Sequence, residues 1–330
     1  MKRIQRCMTL MSMAAAAIFL ALPSVTVLAD EYPVRPIRLI VAFSAGGPTD
    51  ALARFLAGKL TEKIGQTVLV ENIPGAAGNI GYALAANAAT DGYTLAFADA
   101  SLTVNASLFK NLPFDVERDF APVSGAFRGP TVLVVPQSLE ARTLLELVAM
   151  AKRSPGKLTY GSAGTGTPPH FNAEFFKLAE GLDIVHVPYR GAAPALTDLI
   201  AGRINLMFLS VASAKAQIDA NALRGLGVSG TTRLPSLPNV PTFREAGLPL
   251  VELDPGAWWG VIGPAKLPAE VLQRLNAAMH EALNDAEMRR RLAGMNVDPT
   301  PTTPEAFGRL IRDERRKWAS LVQRARITVE

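Results

Sequence analysis

The sequence predicts an α/β fold of two lobes that face each other across a cleft. Apolar runs of strand length alternate with amphipathic helical stretches along most of the chain, which is typical of sheets covered by helices. A strand, a turn of small residues and a helix that starts at a proline occur at residues 37–64, and the same order recurs at 158–178. Two halves with the same local order therefore indicate two similar lobes, each with its own core.

The first 29 residues have the pattern of a signal peptide. Lys2, Arg3 and Arg6 precede a short apolar run from Ala14 to Leu22, and Val27-Leu28-Ala29 fits a cleavage site of small residues. The run is short for a bilayer-spanning helix, so an uncleaved anchor is the less favoured alternative. We therefore expect export and cleavage after Ala29.

Composition limits the function of the mature chain. The formal net charge of the 330 residues is +5, and loss of three basic and no acidic residues with the signal peptide lowers it to +5 − 3 = +2. The remaining basic residues are dispersed, which argues against nucleic-acid binding. The single cysteine, Cys7, lies in the signal peptide, so disulfides and thiol chemistry are excluded from the mature chain.

Each lobe has a predicted order of elements. Lobe 1 is expected to comprise residues 30–128 and 227–330, with strands at 37–41, 67–70, 94–98 and 258–262 and helices at 48–64, 79–89, 269–283, 287–292 and from 304. Lobe 2, residues 129–226, is expected to have strands at 131–136, 158–160, 184–189, 204–208 and 223–228 with helices between them. The strands at 131–136 and 223–228 are predicted to cross between the lobes. We expect mainly parallel sheets and a last helix that packs across lobe 1.

Two loops of small residues predict an anion site. Gly46-Gly47 precede Pro48, which suits the first position of a helix, and Gly161 to Gly166 precede Thr167-Pro168 in the same manner. Backbone N–H groups at such helix starts are free and favour negative charge. Because open α/β sheets bind ligands at the carboxyl ends of their strands, we expect the cleft to close on an anion from both sides.

Several longer strings carry a family resemblance. YPVRPIRLIVAFSAGGPTDALAR, VENIPGAAGNIG, TDGYTL, LTYGSAGTGTPPH and HVPYRGAAPALTDLIAGRINLMF closely resemble the solute-binding receptors of tripartite tricarboxylate transporters, the Bug receptors. The resemblance covers essentially the whole mature chain. It implies a two-lobed periplasmic binding protein of type II, a Venus-flytrap with two crossing strands. It further implies a monomer without a cofactor that closes on a small organic acid (a di-, tri- or aromatic carboxylate) and delivers it to transporter membrane subunits.

The resemblance also implies which residues bind the ligand. The two loops correspond to Ser44–Asp50 and Ser162–His170, and the candidate ligand-binding residues are Phe43, Ser44, Ala45, Gly46, Gly47, Thr49, Asp50, Ser101, Ser162, Gly164, Thr165, Gly166, Thr167, His170, Tyr189 and Arg190. The chain departs from the common family pattern at Ser44 and also at Leu209. At the position of Leu209, a polar or acidic residue is usual. Leu209 therefore indicates a more apolar or differently shaped ligand.

Some of these residues have two open interpretations. Asp50 is interpreted as an acceptor that fixes its loop, because a carboxylate would repel a bound anion. His170 either contacts the ligand or holds the loop by a hydrogen bond. Arg190 either pairs with a distal carboxylate or forms a salt bridge on the rim. The glycine-rich stretch 72–78 lacks the lysine of a phosphate-binding loop and is interpreted as a turn before the next helix.

No enzyme motif is present. Tyr160 stands where a nucleophile elbow around Ser162 would have its first glycine. The stretch from Gly164 ends in proline, where a dinucleotide-binding fingerprint would have glycine. Three scattered histidines without cysteine predict no metal site. We therefore expect no catalytic residue. The alternatives are an exported hydrolase of carboxylate esters that uses Ser162 or Thr165, and a receptor that feeds a signalling sensor.

Overall fold

The structure, a computed structural model, describes residues 32–248, 250 and 256–325. The predicted signal peptide lies outside these residues. A first sheet has the strand order β11-β4-β10-β3-β1-β2. Its strands are β1 (Ile37–Val41), β2 (Val68–Asn72), β3 (Thr94–Asp99), β4 (Phe120–Gly129), β10 (Ala257–Pro264) and β11 (Asp298–Pro299). The helices that accompany it are α1 (Pro48–Ile64), α2 (Asn79–Ala86), α3 (Ser101–Leu108), α8 (Ala269–Asn284), α9 (Ala286–Gly294) and α10 (Pro304–Ala325).

A second sheet forms from the middle of the chain. Its strands are β5 (Thr131–Pro136), β6 (Thr159–Ser162), β7 (Val185–Pro188), β8 (Met207–Ser210) and β9 (Leu223–Val228). The order is β8-β5-β9, and the pair β6-β7 joins it through a bridge between Tyr160 and Leu206. Its helices are α4 (Leu144–Arg153), α5 (Pro168–Glu180), α6 (Ala192–Ile200) and α7 (Val211–Asp219). The two-lobed α/β fold predicted from the sequence is therefore confirmed.

Neither sheet is as parallel as the sequence predicts. β1 pairs with β2 and β3 in parallel, whereas β10 pairs with β3 and β4 in antiparallel fashion. In the second sheet, β5 is antiparallel to both of its neighbours. The reason is the crossing of the chain between lobes, because a strand that returns from the other lobe enters its sheet from the opposite end.

Two connections join the lobes. β4 continues into β5 across Pro130, so one extended run crosses from the first sheet to the second. The described part of the other connection is residues 229–248 and 250, and its apolar side chains Phe243, Leu248 and Leu250 lie in a core cluster of the second sheet. The lobe boundaries proposed from the sequence remain a prediction, and this packing favours a return to lobe 1 near residue 256 rather than 227.

The last helix, α10, spans the two lobes. Phe307 and Ile311 lie in the core cluster of the first sheet, as the sequence predicts. Trp318 belongs instead to a cluster with Phe171 of α5, and the two ring centroids are 5.6 Å apart. The buried residues of α10 lie along one face, and this face packs against both lobes. Among the described helices, none combines the length and hydropathy needed to cross a bilayer.

Candidate functional site

A cavity of about 1170 Å³ lies between the two sheets. Its walls are formed by both lobes and include residues within the segments 42–50, 74–78, 163–170, 189–194, 208–210 and 257–259. The segments at 42–50, 163–170, 189–194 and 208–210 follow or include the carboxyl ends of β1, β6, β7 and β8. The cavity therefore occupies the position where open α/β sheets bind small molecules.

The loop after β1 offers backbone donors to this cavity. Gly46 has φ +83°, a left-handed conformation, and Gly47 is extended before Pro48 starts α1. No side chain caps α1. The N–H groups of Ala45, Gly47 and Thr49 have no hydrogen-bond partner among the described residues. These three residues line the cavity, so the positive end of α1 can receive an anion there.

Asp50 holds the shape of the same loop. Its carboxylate accepts bonds from Gly46 N at 2.9 Å, from Asn72 Nδ2 at 2.9 Å and from Arg54 Nε at 3.1 Å. Burial pushes the pKa of Asp50 upward, but the hydrogen bonds from Arg54, Gly46 and Asn72 outweigh it and hold the pKa below its usual value. Asp50 is therefore an ionised structural acceptor, as the sequence predicts, and Arg54 neutralises its charge.

The hydroxyl groups next to this loop form hydrogen bonds within the protein. Thr49 Oγ1 donates to Asp99 Oδ2 at 3.3 Å and accepts from Trp259 Nε1 at 3.1 Å. Ser101 Oγ donates to Asp99 Oδ1 at 2.6 Å, and Ser101 is fully buried. Ser101 does not line the cavity, which argues against its predicted role as a ligand contact. Burial raises the pKa of Asp99 despite its hydrogen bonds from Ser101 and Thr49.

Sequence reasoning missed Asp99, although one signal was available. An acidic residue at the end of the otherwise apolar strand TLAFAD must find partners when it is buried. Asp99 lines the cavity and ties β3 to the start of α1 through Thr49.

In the second loop, most polar groups bond to one another. Gly164 N donates to Ser162 Oγ at 3.1 Å, while Thr167 donates to Gly164 O from its N–H at 3.2 Å and from Oγ1 at 2.6 Å. Thr165 N has no partner among the described residues, and Gly166 N has only a long contact of 3.4 Å to His170 Nδ1. Pro168 and Pro169 carry no N–H, so the N–H of Thr165 is a donor of this loop that remains available to a ligand.

Ser162 is a structural residue of lobe 2. It is fully buried, does not line the cavity, and its Oγ lies 2.6 Å from His186 Nε2. This position argues against the predicted role of Ser162 as a ligand contact. Gly46 and Gly166 are likewise not part of the cavity wall, and they act by shaping their loops. The remaining predicted residues line the cavity: Phe43, Ser44, Ala45, Gly47, Thr49, Asp50, Gly164, Thr165, Thr167, His170, Tyr189 and Arg190.

Two neighbouring histidine rings lie beneath the second loop. The ring centroids of His170 and His186 are 4.5 Å apart, and Tyr160 stacks on His186 at 4.7 Å. Burial lowers the pKa of His170 to about 3, and the charges of His186 and Lys177 act in the same direction. Burial also lowers the pKa of His186 to about 4, although the charge of Glu174 opposes this shift. Both rings are therefore neutral near pH 7. With Gly166 N donating to Nδ1, the proton of His170 sits on Nε2.

The walls away from the loops differ in polarity. Tyr189 OH donates to Asp198 at 2.8 Å, so this hydroxyl has a partner within lobe 2. Arg190 is exposed and has no ion-pair partner among the described residues. Leu209 is buried and lines the cavity beside Phe208 and Ser210. The described residues contain no group of three or more side chains able to hold a metal ion.

The two lobes touch beside the site. A Cβ added to Gly166, which has φ +90°, would lie 2.8 Å from Ala77 Cβ and 2.8 Å from Asn105 Oδ1 of lobe 1. The stretch 75–78 has positive φ at four successive residues, and Asn105 Nδ2 holds it through Ala77 O at 3.0 Å. The sequence predicts only a turn here. The structure places Ala76 and Ala77 in the cavity wall.

Sequence comparisons find relatives over nearly the whole chain. The family model described as tripartite tricarboxylate transporter family receptor matches residues 52–327. A UPF0065 protein in the tcbD-tcbE intergenic region of Pseudomonas sp. (strain P51) is 38% identical over 299 residues, 90% of this chain and 88% of that protein. Protein BugT of Bordetella pertussis is 35% identical over 94% of this chain and 96% of its own.

Solved structures of related receptors agree with the fold. An R. palustris protein with adipate is 31% identical, with a TM-score of 0.84 over 90% of this chain and 99% of that chain. MatC from Rhodopseudomonas palustris with bound malate is 29% identical, with a TM-score of 0.83 over 88% of this chain and 100% of its own. A TctC solute-binding protein from Polaromonas without ligand is also 29% identical over 88% of this chain and 99% of that chain, but its TM-score is 0.65.

The family model describes receptors, a further solved relative is the periplasmic binding protein BugD, and this family of binding proteins is not enzymatic. The chain therefore belongs to the tripartite tricarboxylate transporter receptor family, to which the Bug proteins also belong.

Proposed function

We propose that the chain captures a small organic carboxylate in the cavity and holds one carboxylate group between its two loops. The observation that carries this proposal is the set of unpaired N–H groups in Ala45, Gly47 and Thr49 of lobe 1 and in Thr165 of lobe 2. Each charge-assisted bond from such a donor contributes about 1.5–3 kcal/mol, so a few of them bind an anion without a buried arginine. The adipate and malate bound by related proteins support the same chemistry.

Binding is coupled to closure of the lobes in this proposal. By TM-score, the fold of this chain is more similar to the adipate- and malate-bound proteins than to the ligand-free protein. Sequence identity does not explain this difference, because the malate-bound and the ligand-free proteins are equally identical to the chain. The contact of Gly166 with Ala77 and Asn105 is part of this arrangement. A ligand that bonds to both loops favours the state in which they approach, which is a population shift between open and closed lobes.

We propose further that the closed chain delivers its ligand to the membrane subunits of a tripartite tricarboxylate-type transporter after cleavage of the signal peptide. The family match supports this partner. Uptake of the bound acid by cells is expected to fall when this chain is deleted and to recover when it is restored. Unchanged uptake would favour a receptor that feeds a sensor.

Gly47 provides a sharp test of the two-loop site. Its φ of −81° suits proline, and an added Cβ would meet only Ser44 O at 3.7 Å. Gly47→Pro removes the N–H donor, whereas Gly47→Ala keeps it. We expect Gly47→Pro to weaken carboxylate binding roughly 10- to 150-fold, which corresponds to about 1.5–3 kcal/mol, and Gly47→Ala to cost much less.

The measurement is isothermal titration with the acid that gives the largest thermal shift in a panel of di-, tri- and aromatic carboxylates, with amides as uncharged controls. The unfolding midpoint of each variant reports whether the fold survives. Equal affinities of the proline and alanine variants would exclude the Gly47 N–H as a ligand donor. An amide that binds as well as its acid would exclude an anion site.

A further inference from the structure

His186 in β7 has one ring nitrogen that is bonded inside lobe 2 and one that is not. The residue is half-buried and lines the cavity. Its Nε2 lies 2.6 Å from Ser162 Oγ, which also accepts a bond from Gly164 N at 3.1 Å. A neutral imidazole carries one proton, so the role of the other nitrogen, Nδ1, depends on which of the two is protonated.

The partners of Ser162 decide the position of this proton. Ser162 is fully buried, and its hydroxyl has a single hydrogen to donate. Gly164 N occupies one acceptor site of Oγ, and the described residues offer His186 Nε2 as the acceptor for the hydroxyl hydrogen. A proton on Nε2 would leave that hydrogen buried without an acceptor, which is costly. The proton of His186 therefore sits on Nδ1.

The Nδ1 atom is accessible rather than sealed inside lobe 2. It has no hydrogen-bond partner among the described residues. The described side-chain atoms that are both buried and unpaired are Asn105 Oδ1, Trp258 Nε1, Asn296 Nδ2 and Arg315 Nε, and His186 Nδ1 is not one of them. Since His186 lines the cavity, its N–H is within reach of a bound molecule.

Packing holds the ring of His186 in place. Tyr160 stacks on it with the ring centroids 4.7 Å apart and the planes inclined by 14°, and the centroid of His170 is 4.5 Å away. Tyr160 is itself fully buried, and its hydroxyl donates to Glu174 Oε1 at 2.6 Å. A donor held in this way loses little conformational freedom when a ligand binds.

The two loops already match the acceptors of one carboxylate, provided that the proposed function holds. That group then meets the unpaired N–H groups of Ala45, Gly47, Thr49 and Thr165. An ionised carboxylate has two oxygens with about four acceptor sites. The loop donors are therefore enough for it, and the N–H of His186 is left for another oxygen of the ligand.

We propose that His186 is a specificity-determining residue whose Nδ1–H binds a second acceptor oxygen of the ligand, outside the carboxylate held by the loops. Ser162 is a positioning residue, because its hydroxyl fixes the tautomer that turns the N–H toward the cavity. An acid that carries such an oxygen binds more tightly than the same acid without it.

Nitrogen-15 NMR of the histidine rings tests the tautomer without any ligand. The chain has three histidines, so substitution of each in turn assigns the signals. We expect His186 at pH 7 to carry its proton on Nδ1, whereas His170, which accepts from Gly166 N at Nδ1, carries its proton on Nε2 and serves as a reference. A proton on Nε2 of His186 would overturn the inference whether or not the chain binds carboxylates.

Two substitutions separate the roles of the two ring nitrogens. In His186→Gln the amide lies near the position of Nε2 and no donor remains at Nδ1, whereas in His186→Asn the amide lies near Nδ1 and Ser162 loses its partner. We expect His186→Gln to weaken adipate binding roughly tenfold or more, while binding of hexanoate, which lacks the second carboxylate, changes less than about twofold. His186→Asn should keep most of the preference for adipate.

His280→Gln is the matched control, because His280 contacts Thr302 O at 3.3 Å and does not line the cavity. Titration calorimetry gives the affinities, and the unfolding midpoint checks each fold. Unchanged adipate binding in His186→Gln, or an equal loss for adipate and hexanoate, would overturn the role of His186 toward a second oxygen and leave the carboxylate receptor intact. Failure of the wild-type chain to bind any acid of the panel would overturn the proposed function itself.

Discussion

Gly166→Ala is expected to weaken ligand binding by blocking closure of the lobes. The added Cβ would lie 2.8 Å from both Ala77 Cβ and Asn105 Oδ1, closer than such atoms approach. Because both neighbours belong to lobe 1, the overlap exists only when the lobes are together. Overpacking of this kind costs about 1–3 kcal/mol, which is roughly a 5- to 150-fold loss of affinity if it acts on the closed state alone.

A second cost must be separated from the first. Gly166 has φ +90°, and an alanine there is strained by about 1–2 kcal/mol whatever its surroundings. Gly181 at the end of α5 is a suitable control, because it has φ +63° and an added Cβ would meet nothing within 4 Å. Gly181→Ala therefore carries the backbone strain in the same lobe without the contact across the cleft.

Titration calorimetry and thermal unfolding of both variants give the decisive comparison. We expect similar losses of unfolding free energy without ligand, but a loss of affinity in Gly166→Ala that is at least fivefold larger than in Gly181→Ala. Equal affinities of the two variants would refute the argument that the bound state requires contact between Gly166 and lobe 1.

Two further perturbations follow from the same geometry. Asn105→Ala removes the two bonds from Nδ2 that hold the strained stretch 75–78, to Ala77 O and Asn79 Oδ1, and should lower both the unfolding free energy by about 1–3 kcal/mol and the ligand affinity. Asn87→Ala, which loses only a bond to Ala83 O within its own helix, is the control, and an equal effect on affinity in both would contradict this role. The fold lowers the pKa of His170 to about 3 and that of His186 to about 4, below the usual 6.5. As the pH falls below about 6.5, the unfolded chain takes up protons that the folded chain does not, so the unfolding free energy decreases toward pH 4. The unfolding free energy should decrease over that range by up to about 3 kcal/mol for His186, and His186→Gln should flatten the decrease in a denaturant titration at several pH values. A wild-type curve with the same slope as the variant would argue against a neutral buried pair.

The local pattern predicted most of the fold and both loops. Strand-length apolar runs and proline-started helices depend on residues a few positions apart, so the sequence alone predicts them. The bounds of α1 and β1 agree with the prediction. The helices at 101–108 and 211–219 were missed, because their apolar residues do not form one clear face. β4 was missed as a strand since it includes Pro122, Gly125 and Gly129.

Both predicted loops line the cavity, whereas the hydroxyls of the predicted residues Ser101 and Ser162 have partners inside the protein. Ser101 and Ser162 look like ligand contacts in sequence, because each follows or ends a strand beside a loop of small residues. In the structure their hydroxyls satisfy Asp99 and His186, which are buried and require partners. Which of several polar groups pair with one another depends on distances between strands that no local pattern contains.

The sequence by itself determined that two strand-to-helix loops, each followed by proline, present N–H groups at matching places in two α/β lobes, because φ preferences and helix starts are local properties. Only the tertiary structure decided which of those N–H groups stay unpaired among the described residues, and that Gly166 lies against Ala77 and Asn105 of the other lobe. The contact of Gly166 depends on groups brought together from both lobes, and so it exists only once the chain has folded.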